Sequence, residues 1–280
     1  MTVPFGTRLR EAMDARGPLC VGIDPHAALL EAWGLGDDIA GLERFSRTVV
    51  EALADRVAVL KPQAAFFERF GSRGVAVLEQ TVADARAAGA LVLMDAKRGD
   101  IGSTMAAYAD AFLAPTSPLF SDALTVSPYL GFGSLRPAFD AARASGAGLF
   151  VLALTSNPEG HEVQHAVGAD GQTVAQSVLR QLAAENAEVR GVAGALGSFG
   201  AVVGATLKGV DADLAIDGPL LAPGIGAQGA TPADIPGVFG AASGNVVPSV
   251  SRDVLKHGPS VPALREASAR FVDEVRAAIS

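Results

Sequence analysis

The chain has 280 residues, 49% of them hydrophobic, and its 30 acidic and 22 basic side chains give a formal net charge of −8. That length suits one large α/β domain or two small ones. The acidic balance argues against a nucleic-acid binder but leaves room for small anionic ligands, which need only a local basic cluster.

A single cysteine, Cys20, excludes an internal disulfide framework and agrees with a reducing compartment. The first ten residues hold no apolar core of signal-peptide length, and no apolar run approaches the roughly 18 residues of a membrane helix. The expectation is a cytoplasmic protein with no membrane partner.

Short apolar runs alternate with helix-period segments along the chain. The first run, 19–23, ends in Asp24-Pro25-His26, and the second, 58–60, ends in Lys61-Pro62-Gln63. Residues 74–88 read as a helix, with Val75, Leu78, Val82 and Ala85 on one face and Gly89 as its stop. The third run, 91–94, breaks off abruptly into Asp95, Lys97, Arg98 and Asp100. On an extended chain Asp95 and Lys97 project to the same side, and such charges at a strand end are costly unless each has a partner.

The fourth and fifth runs are 123–126 and 149–154, and the fifth ends in Thr155-Ser156-Asn157-Pro158. Between about residues 156 and 198 the pattern turns irregular: a Gly-rich loop, one helix at 173–186, and a second Gly-rich stretch with room for two short helices. Runs 201–203, 220–222 and 245–247 complete a set of eight. Pro248 cannot donate to a ladder, so the eighth strand should end early or bulge. Leu264, Ala267, Phe271, Val275 and Ile279 form the stripe of a last helix, begun by Ser260 and Pro262. The runs look buried on both faces, and no linker or composition shift divides the chain. Together these features predict a single (β/α)8 barrel over residues 1–280, elaborated after strand five.

In such a barrel active groups sit at the C-terminal strand ends, and the loops after strands seven and eight form a recurrent phosphate site. After the seventh run comes Pro223-Gly224-Ile225-Gly226-Ala227-Gln228-Gly229, whose glycines allow backbone N–H groups close to an anion. After the eighth comes Arg252, suited to bidentate phosphate contact. A phosphorylated substrate follows.

With these pieces placed, the sequence resembles the orotidine 5'-phosphate decarboxylases, in their longer bacterial branch. The resemblance spans nearly the whole chain and rests on Gly22-Ile23-Asp24-Pro25-His26, on Lys61-Pro62-Gln63-Ala64-Ala65-Phe66-Phe67-Glu68, and on Asp95-Ala96-Lys97-Arg98-Gly99-Asp100-Ile101-Gly102. Ser127-Pro128-Tyr129, Thr155-Ser156-Asn157-Pro158-Glu159-Gly160 and the 223–229 loop complete it. The D-x-K-x-x-D pattern alone is shared with sister sugar-phosphate decarboxylases and epimerases; Lys61 and the Arg252 region make it specific.

The resemblance implies cofactor-free conversion of orotidine 5'-monophosphate to UMP and CO2, in pyrimidine biosynthesis, by a homodimer with shared active sites. It implies Lys61, Asp95, Lys97 and Asp100 as an alternating charged array, with Asp100 reaching into the neighbouring subunit's site. Lys97 would protonate C6 of the pyrimidine, and Asp24 and Lys61 would meet the ribose. Ile101 and Thr104 would follow Asp100 across the interface. Ser156 would read the base, Gln228 would bridge phosphate and base, and Arg252 would hold the phosphate beside Pro223, Gly224 and Gly226. Loss of CO2 leaves a carbanion that no ring carbonyl readily delocalises, so a fixed ammonium is its natural stabiliser and proton source. One departure stands out: Arg252 follows Ser251, where shorter family members commonly place Gly.

Three other readings compete. His161-Glu162-Val163-Gln164-His165 matches H-E-x-x-H literally, with Glu185 as a conceivable third zinc ligand. Against it, Asn157-Pro158-Glu159-Gly160 blocks the helix that motif needs, and the extended motif's third His falls at Gly171. No metal is expected. A Mg2+-dependent sister barrel would need an extra carboxylate, for which Glu68 is the nearby candidate. A binding-only nucleotide protein would not require four buried charges.

Overall fold

The computed structural model describes residues 2–279. Eight parallel strands close in chain order into a barrel: β1 Cys20–Ile23, β2 Val59–Pro62, β3 Leu91–Arg98, β4 Ala123–Val126, β5 Gly148–Leu154, β6 Phe199–Val203, β7 Leu220–Pro223 and β8 Val246–Val250. β8 returns to pair with β1 through Cys20↔Ser249 and Val21↔Val250. Every apolar run of the sequence became a strand.

Two apolar cores follow from strand alternation. Side chains such as Val21, Leu60, Val92, Met94, Leu124 and Val151 face out and pack beneath the helices. The alternate set, including Cys20, Val59, Leu91, Leu93, Ala123, Phe150, Val202, Leu221 and Val247, fills the barrel. The helix Phe5–Arg16 closes the N-terminal end by adding Phe5, Leu9, Ala12 and Met13 to that inner set. Phe5 meets Phe150 edge-on at 6.1 Å, where a Cβ on Gly148 would collide with the Phe5 ring. Burial pushes the Cys20 thiol up to about 12, so it serves as a small apolar side chain.

Three details differ from the sequence reading. β8 runs straight through Pro248, which pairs with Ala222 of β7; the β1 ladder starts only at Ser249, so at Pro248 a single neighbour lies alongside. β3 continues past Met94 to Arg98, with its register to β4 shifting between those residues. Among the described residues, 204–219 between β6 and β7 contain no helix. Gly204, Gly209, Gly218 and Pro219 punctuate that connection, and Ala205, Leu214 and Ile216 are buried from it without a helix.

The elaborated segment after β5 holds the one helix expected of it, Val174–Glu185, started by a reciprocal cap in which Thr173 Oγ1 accepts from Gln176 N and Thr173 N donates to Gln176 Oε1. Short turns at Pro158–Gly160, His161–Gln164 and Ala187–Val189 surround it. Asn186, fully buried, ties this helix to the barrel: its amide donates to Phe199 O at 2.7 Å and Ile216 O at 2.9 Å and accepts from Phe199 N at 3.1 Å. Asn186→Ala would strand these groups without water and should lower unfolding free energy by about 2–4 kcal/mol in chemical denaturation. A loss below about 1 kcal/mol would mean the amide does not tie the helix to the barrel.

Candidate active site

At the C-terminal end of the barrel the inward-facing layer changes character and opens into a cavity of about 320 Å³. Along β2 the inward sequence runs Val59 then Lys61, along β3 Leu91, Leu93 then Asp95, and along β4 Ala123 then Thr125. β5, β6 and β7 instead present Leu152, Val202 and Leu221 to the same cavity. One wall is therefore charged and the other apolar. A larger hollow of about 780 Å³ lies along the helix Ile39–Leu53, but its charged side chains, Asp38, Glu43, Arg44, Arg47 and Glu51, are all exposed surface groups.

Asp95 organises the charged wall. It is 7% exposed and accepts from Lys61 Nζ at 2.9 Å on one oxygen, and from Lys97 Nζ at 2.6 Å and Thr125 Oγ1 at 3.0 Å on the other. Burial works to raise the Asp95 carboxyl, but Lys61 and then Lys97 overcome it and hold it well below the usual carboxylate range. Burial likewise opposes the Lys61 ammonium, yet Asp95 and Asp24 reverse the balance and hold it above the usual lysine range. Asp95 and Lys61 are thus both charged at neutral pH. Asp24 lines the cavity with a buried oxygen, Oδ1, that has no hydrogen-bond partner, which suits a ligand hydroxyl.

Lys97 does not reach this cluster by simple strand alternation. It has φ +48°, a conformation uncommon for a residue with a Cβ, and lies inside the register shift of β3. Its backbone N–H donates to Thr125 Oγ1 at 2.9 Å, and its half-exposed side chain turns to Asp95.

Across the cavity stand Pro223, Gly224, Gln228 and Arg252. Gly224 adopts φ +107°, and a Cβ there would press on Thr206. Gly226, Gly229 and Ala230 donate their N–H groups to carbonyls of the same loop, whereas those of Ala227 and Gln228, which line the cavity, do not. Arg252 is exposed and has no ion-pair partner among the described residues, leaving its guanidinium available to an anion.

Known proteins resemble this chain along nearly its whole length. The model of the orotidine 5'-phosphate decarboxylase / HUMPS family matches residues 17–267. The chain belongs to that family. It is 75% identical over 278 residues to the orotidine 5'-phosphate decarboxylase of Streptomyces coelicolor, covering 99% of each chain. It is 61% identical to that of Salinispora tropica, covering 99% of this chain and 98% of the relative. Its structure resembles a Streptomyces avermitilis crystal structure assigned to orotidine 5'-phosphate decarboxylase, with TM-score 0.95, 75% identity, and coverage of 99% of this chain and 96% of the other. The Leishmania donovani OMP decarboxylase superposes with TM-score 0.77 at 28% identity, covering 99% of each chain.

Within this chain of the decarboxylase family, the array expected from the sequence is incomplete. Lys61, Asp95 and Lys97 converge, but Asp100 does not line the cavity and instead accepts from the N–H of Ile101 at 2.8 Å. Ile101 and Thr104 are exposed on the same rim, and Ser156 is exposed beyond the cavity wall. Gly226 also stands back from the cavity; with φ +83° and Asp253 where a Cβ would go, it shapes the loop. The sequence reading missed Thr125, Ser249 and Ser251 as cavity groups. A polar residue inside an apolar strand run was the available signal for Thr125.

Side chains named in the rival metal readings make other contacts. Glu68 is hydrogen-bonded to Arg98. Glu185 is held by Arg136 at 2.5 Å and Arg143 at 2.6 Å, while His161 and His165 stack on each other at 4.4 Å in a separate surface turn. Among the described residues no three His, Cys, Asp or Glu side chains gather as a metal site.

The Lys61–Asp95 pair gives a pH prediction. Asp95, with its folded pKa lowered, contributes stability above its unfolded value near about 3.9, which is lost as pH falls through the folded value. Lys61, with its folded pKa raised, contributes fully below its unfolded value near about 10.4, and that is lost as pH rises through the folded value. Asp95→Asn should therefore cost about 3–5 kcal/mol by chemical denaturation, unchanged between about pH 5 and 9 and shrinking towards pH 2. A cost that grows on acidification would contradict the assignment.

Proposed function

We propose that this chain decarboxylates orotidine 5'-monophosphate to UMP and CO2, using its own side chains and no cofactor, as a step of pyrimidine synthesis in the cytoplasm. The observation that carries the reading is Asp95 buried between the ammonium groups of Lys61 and Lys97 at one end of a cavity whose other end offers Gln228 and Arg252. The apolar wall of Leu152, Val202 and Leu221 suits a pyrimidine ring, and the unpaired oxygen of Asp24 suits a ribose hydroxyl.

In the chemical step the C6–carboxylate bond breaks, CO2 departs, and the bonding electron pair stays on C6. The Lys97 ammonium faces that developing charge, stabilises it electrostatically and transfers one proton to form C6–H. Lys97 then regains a proton from solvent, so one proton is consumed per turnover. Asp95 and Lys61 stay ionised throughout and keep the ammonium aimed. Gripping the phosphate at Gln228 and Arg252, far from C6, supplies binding energy that can close the site.

The active unit is a homodimer in this reading. Asp100, Ile101 and Thr104 stand on a rim that also exposes Tyr129 and Leu130, and the two loops are joined by the Ser127 N–H to Arg98 O hydrogen bond at 2.8 Å. Apolar side chains beside an outward-facing acid fit a surface that completes a neighbour's site.

UMP release from orotidine 5'-monophosphate should persist in EDTA and vanish in Lys97→Ala, which should remain folded. Retention of more than about a tenth of wild-type activity would be incompatible with electrostatic stabilisation worth several kcal/mol. Mixing inactive Lys97→Ala and Asp100→Asn dimers under subunit exchange should restore roughly a quarter of wild-type activity per subunit, since half the dimers then carry one intact site. No recovery despite demonstrated heterodimers would place Asp100 in its own subunit's site.

A further inference from the structure

The Thr125 hydroxyl bonds both the Asp95 carboxylate and the backbone N–H of Lys97, and nothing in the expected array assigns it a part. It is 1% exposed, in the middle of β4 between Leu124 and Val126, where an apolar residue would satisfy packing alone. Its Oγ1 accepts the backbone N–H of Lys97 at 2.9 Å and lies 3.0 Å from Asp95 Oδ1, against 3.5 Å from Met94 O. A hydroxyl has a single proton, and the shorter contact with the charged acceptor directs it to Asp95. Both capacities of the group are therefore used on the two residues that flank the reacting centre.

The strained backbone gives these contacts their meaning. Lys97 adopts φ +48° within the register shift of β3, and such a conformation persists only where the surroundings over-determine it. Without Thr125 Oγ1 the Lys97 N–H would have no acceptor at that point of the turn. The ladder residue that would ordinarily meet it is displaced, because Met94 pairs with Leu124 and the next pairing is Arg98 with Val126.

We propose that Thr125 is a positioning residue for the decarboxylation: its hydroxyl fixes the turn that aims the Lys97 ammonium and orients the Asp95 oxygen that ammonium rests on. The inference rests on the proposed reaction at this site. Thr125 acts through Lys97 and Asp95, so its removal should spare ground-state binding and strike the chemical step.

The test compares Thr125→Val, which keeps shape and removes the hydroxyl, with Thr125→Ser, which keeps the hydroxyl. Steady-state decarboxylation of orotidine 5'-monophosphate and UMP binding by calorimetry are both measured, on folded protein verified by circular dichroism. Thr125→Val should lower kcat about tenfold to a hundredfold, the scale set by leaving a buried donor unpaired, and keep UMP affinity within about threefold. Thr125→Ser should stay within about threefold of wild type in both. Should Thr125→Val fail to accumulate as folded protein, Thr125→Ala is held to the same criteria. Three results overturn the proposal: more than half of wild-type kcat without the hydroxyl, parallel loss of kcat and UMP affinity, or a Thr125→Ser variant as impaired as the valine. Wild-type protein inactive on orotidine 5'-monophosphate would instead defeat the reaction assignment, so the two failures are distinguishable.

Discussion

Asp95 is a carboxylate placed where a barrel normally puts an aliphatic side chain, and the active end of the molecule is arranged around keeping it ionised. Two ammonium groups and a hydroxyl satisfy its oxygens. Of the two ammonium groups, that of Lys61 is the one buried with it, and losing it would leave Oδ2 of a buried carboxylate without its counter-charge. The pair with Lys61 is structural as well as chemical: it lets a charged wall exist one layer above Leu93 and Val59.

That layering explains how one fold provides both a stable interior and a reactive surface. The lower inward layers are apolar and sealed from below by the first helix, which adds Phe5, Leu9, Ala12 and Met13 to them. The uppermost inward layer divides around the circumference, charged on β2 and β3, hydroxyl-bearing on β4 and apolar on β5 to β7. A ligand lying across that division meets ammonium groups on one side and hydrocarbon on the other. Water displaced from the apolar side would strengthen the electrostatics of the charged side, since both share one small volume.

The irregularities of the fold cluster near this layer. β3 gains its extra residues at the point where Lys97 leaves the extended conformation, and the glycines of the 223–230 loop occupy conformations that side chains resist. The segment after β5 adds a capped helix and is tied to the barrel wall through Asn186, at a distance from the charged cluster. Strain near the charged cluster thus coexists with well-satisfied local structure elsewhere.

The sequence by itself determined the eight strands, the strand-end groups Asp24, Lys61, Asp95 and Lys97, and the helix near 173–186, because apolar runs, charge at strand ends and capping pairs are local signals. Tertiary structure alone decided the rest. Whether Thr125 points inward depends on the register of β4 against β3, which the bulge at Lys97 alters. Pro248 is tolerated within β8 because β1 joins only one residue later, a fact of closure rather than of sequence. The connection 204–219 lacks a helix although the eightfold pattern called for one at that place. Ser156, expected to read the base, lies exposed outside the cavity lining, and Asp100 and Ile101, expected at a neighbour's site, do not line this chain's own cavity. Convergence is a property of how strands close, and no short stretch of residues encodes it.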